Sequence, residues 1–276
     1  MQREADNLKK TLIVTDMDGT LLDRFQSVSL ENLAAIRRFK ADGGLFTLAT
    51  GRMEAAVLPY ISQLEIDLPV ILYNGAKIYS PVTGTVIYEK HVTVPQPLWK
   101  RFTGWLSGDT ALLVYRQGGV YAPLRNGVLE LHERKEGVRC GQMRDEWIDE
   151  PITKILFIGP RQQLESVEAI IADSGLRCET VYSDADYLEL LPAGASKGAA
   201  LRELQRLLQI DGLYTVALGD NMNDVSMLQE ADLGIAVENA AERLKEVADA
   251  VTVHHEKHAL AAVIREIAGR QSADGR

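Results

Sequence analysis

The chain has 276 residues, 46% hydrophobic and 25% charged, and its 30 basic and 39 acidic side chains leave a formal charge of −9. That length and apolar content suit two domains, and the acidic balance excludes long-range attraction to nucleic acid or to an anionic membrane. Cys140 and Cys178 make no disulfide framework, no apolar run reaches the length of a membrane span, and residues 1–10 lack the apolar core of a secretory signal. A cytoplasmic protein is expected, monomeric or homodimeric.

Residues 11–16, Thr-Leu-Ile-Val-Thr-Asp, are short, β-branched and uninterrupted, the pattern of a strand buried on both faces. A helix is predicted over 30–39, with Ser29 as its cap and Gly43-Gly44 as its stop. Strands are predicted over 45–50 and 69–74. Strand, helix, strand at this spacing predicts parallel pairing through right-handed crossovers.

From 85 to 191 the apolar residues alternate better, as in 85–94 and 111–116. This suits a sheet with one open face, the other face being covered by helices near 98–106 and 164–171. Beyond it the first style returns: a helix from Ser196 to 208, a strand over 213–219, a strand over 233–237 and a last strand over 250–253. Asn239-Ala-Ala-Glu242 reads as a capping box. The predicted fold is α/β, a doubly wound parallel-sheet core formed by residues 1–81 and 192–276. Residues 82–191 are predicted to form an inserted α+β domain.

Four segments carry chemistry. Asp16 ends the first strand, and Asp18-Gly19-Thr20 follows it. Gly219-Asp220-Asn221-Met222-Asn223-Asp224 stands after another apolar strand. If these strands are neighbours, several carboxylates meet at one sheet edge and repel unless a cation sits among them; oxygen-only ligands favour magnesium. Either piece alone also reads as an Asx turn or a helix cap. Lys197 stands in the first turn of a helix, where the dipole disfavours a cation unless an anion joins it; a solvated surface lysine is the alternative. Thr50-Gly51-Arg52, at a strand end, offers a hydroxyl and backbone N–H groups to phosphate oxygens.

In this order the four segments resemble the haloacid dehalogenase superfamily. The resemblance is nearer still to its Cof-type phosphatases, which carry a large cap between the second and third motifs. The resemblance implies that Asp16 is the nucleophile and Asp18 the general acid and base. It places the phosphoryl group on Thr50, Gly51, Lys197 and Asn223. Mg2+ would be held by Asp16, the Asp18 main-chain carbonyl and Asp220, with Asp224 supporting it from nearby. Asn74-Gly75-Ala76 resembles the family's Asn-Gly turn beside the site, which puts Asn74, with Arg52, on the substrate side.

One stretch departs from the pattern: where such proteins often have Asn followed by Asp-Gly-Val, this chain has His254-His255-Glu256-Lys257-His258. With no further His or Cys at ligand spacing, the paired histidines do not read as a transition-metal site. The expected activity is hydrolysis of small phosphorylated metabolites, sugar phosphates first among them, through an aspartyl-phosphate on Asp16. A phosphomutase of the phosphomannomutase type and a non-catalytic regulator of the same fold are the alternatives. The inserted domain is expected to choose the substrate and to leave the chemical step to the core.

Overall fold

The computed structural model describes residues 11–274; residues 1–10, read above as lacking a signal sequence, lie outside them. The chain opens with β1 (Thr11–Thr15), wholly buried, and a tight turn over Met17–Leu21. Next is α1 (Leu30–Ala41), where the Ser29 side chain accepts from Asn32 N as the predicted cap. β2 (Leu45–Leu48), α2 (Glu54–Gln63) and β3 (Val70–Leu72) continue the alternation. A hairpin of β4 (Lys77–Ser80) and β5 (Thr85–Glu89) then extends β3 into a three-stranded sheet.

The middle of the chain runs through α3 (Gln96–Trp105), β6 (Ala111–Arg116), β7 (Gly119–Ala122), α4 (Gly127–Glu136) and β8 (Gly141–Gln142). β9 (Lys154–Ile158), α5 (Arg161–Ser174), β10 (Cys178–Asp184) and β11 (Tyr187–Pro192) complete it. The last part holds α6 (Lys197–Leu208), β12 (Tyr214–Gly219), α7 (Val225–Glu230), β13 (Leu233–Ala236), α8 (Glu242–Lys245), β14 (Ala250–Val251) and α9 (Ala259–Asp274). Among the described residues, no helix is long and apolar enough to cross a membrane.

The chain packs as two units. Among the described residues, the first comprises 11–50, 59–87 and 196–274, the second 51–58 and 88–195. The sequence reading draws the junctions at 82 and 191 instead. The difference lies in the β4–β5 hairpin, which pairs with β3, and in the first half of α2, up to the residue before Pro59.

In the first unit the five-stranded sheet has the order β14-β13-β12-β1-β2, parallel throughout. An isolated parallel bridge between Ala49 and Ile71 carries it on towards β3. α1 packs on α9, and α6 on α7. The chain moves outward from β1 to β2 and later returns to build β12, β13 and β14 on the other side. The carboxyl ends of β1 and β12 therefore lie side by side where the winding reverses, the place open α/β sheets reserve for ligands.

The second unit is built on the six-stranded sheet β10-β11-β9-β6-β7-β8. One face carries α3 and α5 over a core of Trp99, Phe102, Phe157 and their neighbours. The expectation of an open second face is corrected here. Every residue of β6 and β9 is buried, and α4, which the sequence reading missed, buries Leu129 and His132. The alternating polar residues looked like a solvated face because they are satisfied by one another. Lys154 pairs with Glu189 at 3.2 Å, and His132 Nδ1 meets the Tyr187 hydroxyl at 3.0 Å.

The predicted capping box is also corrected. α8 begins after Ala241 with no side-chain cap bond. Asn239 spends its side chain elsewhere, donating to Gly19 O at 2.8 Å and accepting from His255 N at 3.0 Å.

The contact of α6 with α7 is a backbone-on-backbone approach. A Cβ at Gly198 would lie 2.1 Å from Ser226 O, whereas one at Gly269 in α9 would meet nothing within 4 Å. Gly198→Ala is expected to lose about 1–3 kcal/mol in urea unfolding, the usual cost of overpacking. Gly269→Ala is expected to be neutral or to gain up to about 1 kcal/mol from helix propensity. Equal effects at the two positions would show that the α6–α7 contact is not tight.

Candidate active site

β1 delivers Asp16 to the sheet edge, and the Asp16 N–H donates to Leu218 O of β12 at 2.9 Å. β12 delivers Asp220 beside it. Carboxylate oxygens of Asp16, Asp220 and Asp224 all lie within 4.8 Å of one another. Lys197, fully buried in the first turn of α6, donates to Asp16 Oδ1 and to Asp224 Oδ1, each at 2.6 Å. The surface-lysine alternative is thereby removed.

Asp224 has a second task. Its Oδ2 accepts from the N–H groups of Asp220 at 2.9 Å and Asn221 at 3.1 Å, while the Asn221 side chain accepts from Met222 N. This capping box holds the loop after β12 in one shape. Asp224 is thus committed to Lys197 and to backbone donors, and Asp16 and Asp220 face each other across the remaining space.

Three carboxylates and one ammonium, all ionised, would leave two negative charges in a buried place. The excess shows in the acidities. Burial pushes the Asp16 carboxyl well above the usual carboxylate range; Lys197 opposes this, and Asp224, Asp220 and Asp18 add to it. Burial and the charge of Asp224 push Asp220 up to about 7. For Lys197, burial works against the charge, but Asp16 and Asp224 outweigh it and raise the ammonium's pKa. The lysine stays charged, and the surplus proton belongs to the carboxylates. A hard divalent cation would take that proton's place, and the all-oxygen donor set fits one.

The turn after Asp16 folds against this group. Gly19 sits at φ +72°, and a Cβ there would lie 2.5 Å from Asp220 Oδ2, so only glycine lets the turn come so close. The Thr20 hydroxyl donates to Asp220 Oδ1 at 3.0 Å. Asp18, on the outside of the same turn, is exposed.

Thr50 is buried, and its backbone N–H donates to Ile71 O at 2.9 Å. Its carbonyl accepts from Asn74 N at 3.0 Å. Asn74 itself is held at φ 51°, after Tyr73 at φ 49°. Such conformations in non-glycine residues cost about 1–3 kcal/mol each and gather at functional sites. The Asn74 side chain accepts from Asn223 Nδ2 at 3.0 Å, and Asn223 Oδ1 is buried without a partner. Gly51 and Arg52 pack with the second unit, where Lys154 Nζ donates to Gly51 O at 2.8 Å. The structure therefore gathers Asp16, Asp220, Asp224 and Lys197 into one cluster and joins Asn74 to Thr50 and Asn223.

Sequence reasoning places none of Thr20, Asn239 and His255 in the site: Thr20 lies inside a quoted motif, Asn239 reads as a helix cap, and His255 belongs to the stretch that departs from the family pattern. The His255 ring Nδ1 lies 2.7 Å from Leu22 O.

A model of the haloacid dehalogenase-like hydrolases matches residues 13–264. Phosphatase YwpJ of Bacillus subtilis is 31% identical over 93% of this chain and 99% of its own. HMP-PP phosphatase of Escherichia coli is 28% identical over 85% of this chain and 86% of its own. Among solved structures, TM0651 from Thermotoga maritima superposes with a TM-score of 0.78 at 27% identity, covering 92% of this chain and 96% of that one. With these matches running through all three sheets and every motif described above, the chain belongs to the haloacid dehalogenase-like hydrolase family, in its Cof-type phosphatase branch.

Proposed function

We propose that the protein is a magnesium-dependent phosphatase that hydrolyses small phosphorylated metabolites, sugar phosphates first among them, through an aspartyl-phosphate on Asp16. One observation carries the reading: Asp16 is a buried carboxylate at the sheet edge with an ammonium 2.6 Å away and two further carboxylates around it. A binding protein needs no such concentration of repelling acids. The activity named for the Escherichia coli relative, on HMP-PP, supports a small phosphorylated metabolite as the substrate class.

Asp16, Asp220 and the Asp18 carbonyl would hold Mg2+, which supplies charge neutralisation for the nucleophile and the phosphoryl oxygens. An Asp16 oxygen attacks phosphorus in line with the ester oxygen. As the P–O ester bond breaks, the Asp18 carboxyl gives its proton to the leaving alkoxide. Water then attacks the phosphorus of the aspartyl-phosphate and returns a proton to Asp18. Phosphate leaves, and Asp16 is restored. An ammonium has three donors, and Asp16 and Asp224 use two of those on Lys197; the third is assigned to a phosphoryl oxygen, together with the Thr50 hydroxyl, the Gly51 N–H and Asn223. Arg52 and Asn74 are assigned to the substrate side, and choice among esters to side chains of the second unit.

Asp16→Asn is expected to lower kcat by at least about a thousandfold while leaving the fold intact, since the nucleophile itself is lost. Phosphate release at the wild-type rate by folded variant protein would refute the mechanism.

Lys197→Met should reduce kcat/KM by about a hundredfold or more, since its charge serves the transferring group in the transition state. An unchanged kcat/KM would remove Lys197 from the reaction.

Metal binding and pH should be linked. Asp220 in the folded protein is an acid raised to about 7. Its contribution to stability is therefore present below its unfolded pKa and lost as pH rises through about 7. At pH 5 Mg2+ must displace the Asp220 proton; at pH 8 that proton is largely gone. Thermal unfolding with chelator and with magnesium should thus show a larger gain in Tm from magnesium at pH 8 than at pH 5. Calcium, which takes more ligands at longer distances, should support little turnover. An equal Tm gain at both pH values, or full activity in chelator, would reject the assignment.

A further inference from the structure

The turn that carries Asp18 is held from outside the four motifs. Within the turn Leu22 N donates to Met17 O at 2.9 Å, and the Thr20 hydroxyl reaches Asp220. Two carbonyls of this stretch are received by side chains from distant segments. Asn239 Nδ2 donates to Gly19 O at 2.8 Å. His255 Nδ1 lies 2.7 Å from Leu22 O. A carbonyl can only accept, so Nδ1 of His255 carries the proton. The two side chains are themselves joined, His255 N donating to Asn239 Oδ1 at 3.0 Å.

The clamp has its own support. The Ala241 N–H donates to the Asp220 carbonyl at 2.9 Å, so the loop bearing Asn239 is tied to the second acidic motif as well. On the other side, His254 N and Lys257 Nζ donate to Glu238 Oε2 at 3.0 and 3.2 Å. Each of these segments stands directly after a strand, β13 or β14, so the clamp is mounted on the sheet. It explains why Asn239 does not cap α8, and it gives a task to the histidine stretch that departs from the family pattern.

We propose that His255 and Asn239 are positioning residues that fix the Met17–Leu22 turn, so that Asp18 is presented to the leaving oxygen. This rests on the reading of Asp18 as general acid. Among the described residues, neither His255 nor Asn239 bonds to a carboxylate of the cluster; the clamp meets it through backbone, at the turn and, by the Ala241 N–H, at the Asp220 carbonyl, so its loss should act on the proton transfer before it acts on phosphoryl binding. A leaving group that needs no proton should hardly notice. An alkoxide, which needs one, should suffer.

The test compares kcat/KM for an alkyl ester, glycerol phosphate, with that for p-nitrophenyl phosphate in each variant relative to wild type. For His255→Leu, the alkyl ester is expected to lose about tenfold to a hundredfold, and the aryl ester less than about threefold. Asn239→Asp, which keeps the acceptor for His255 N but loses the donor to Gly19 O, should behave in the same way. His255→Asn should recover most of the loss, because its amide nitrogen falls close to the place of Nδ1. The ratio of the two esters does not depend on how much variant protein is folded, so a merely structural role would leave it unmoved. Asp18→Asn sets the scale and should show the same split, larger. If Asp18→Asn shows the split and the clamp variants slow both esters equally, the clamp is structural only and the proposal is overturned. If Asp18→Asn shows no split, the acid assignment fails and takes the proposal with it.

Discussion

The site depends on one buried ammonium. Lys197 enters at the start of α6 and is fully enclosed, and its two bonds of 2.6 Å join Asp16, at the end of β1, to Asp224, in the loop after β12. Burying these charges without each other would cost several kcal/mol per ion, and removing one partner of a buried pair typically costs about 3–5 kcal/mol. The segments carrying residues 16, 197 and 224 are therefore bound to one geometry by the interaction that holds the Asp16 carboxylate in place. Stability here is not the reason for the charges, since a well-packed apolar cluster would serve as well. Their presence points to chemistry.

Around that ion group the backbone is fitted closely. Gly19 lies against Asp220, Gly198 against Ser226 and Gly75 against Ser196, each at a distance that no side chain would allow. Asp224 caps its own loop while it holds Lys197. Tyr73 and Asn74 are kept in left-handed conformations at the end of β3, where the chain must reverse beside Thr50. A site assembled from four strand ends needs such restraints, because each loop alone would be free to move.

The second unit solves a different problem. Its sheet has an apolar face under α3 and α5 and a face on which Tyr115, His132, Lys154, Tyr187 and Glu189 satisfy one another. Burial pushes His132 down to about 4, with Lys154 and Lys135 adding to the effect, so the ring is neutral at pH 7 and serves as a hydrogen-bonding spacer between the two tyrosines. A polar layer of this kind specifies which residues meet and leaves little for the hydrophobic effect to decide.

Much of the core was legible in the sequence. The uninterrupted β-branched run before Asp16 announces a strand buried on both faces, Ser29 and Ser196 announce helix starts, and the acidic residues directly after apolar strands announce a ligand edge. These signals are local, and local patterns survive in a linear string. The unit boundary, the closed second face of the inserted sheet, the burial of Lys197 and the partners of Asn239 and His255 were decided only by tertiary structure. In each case a polar residue looks the same in sequence whether water or a distant side chain satisfies it. Asn239 reads as a cap because Glu242 follows at the right spacing, yet its amide goes to Gly19, 220 residues away, which no periodicity could record.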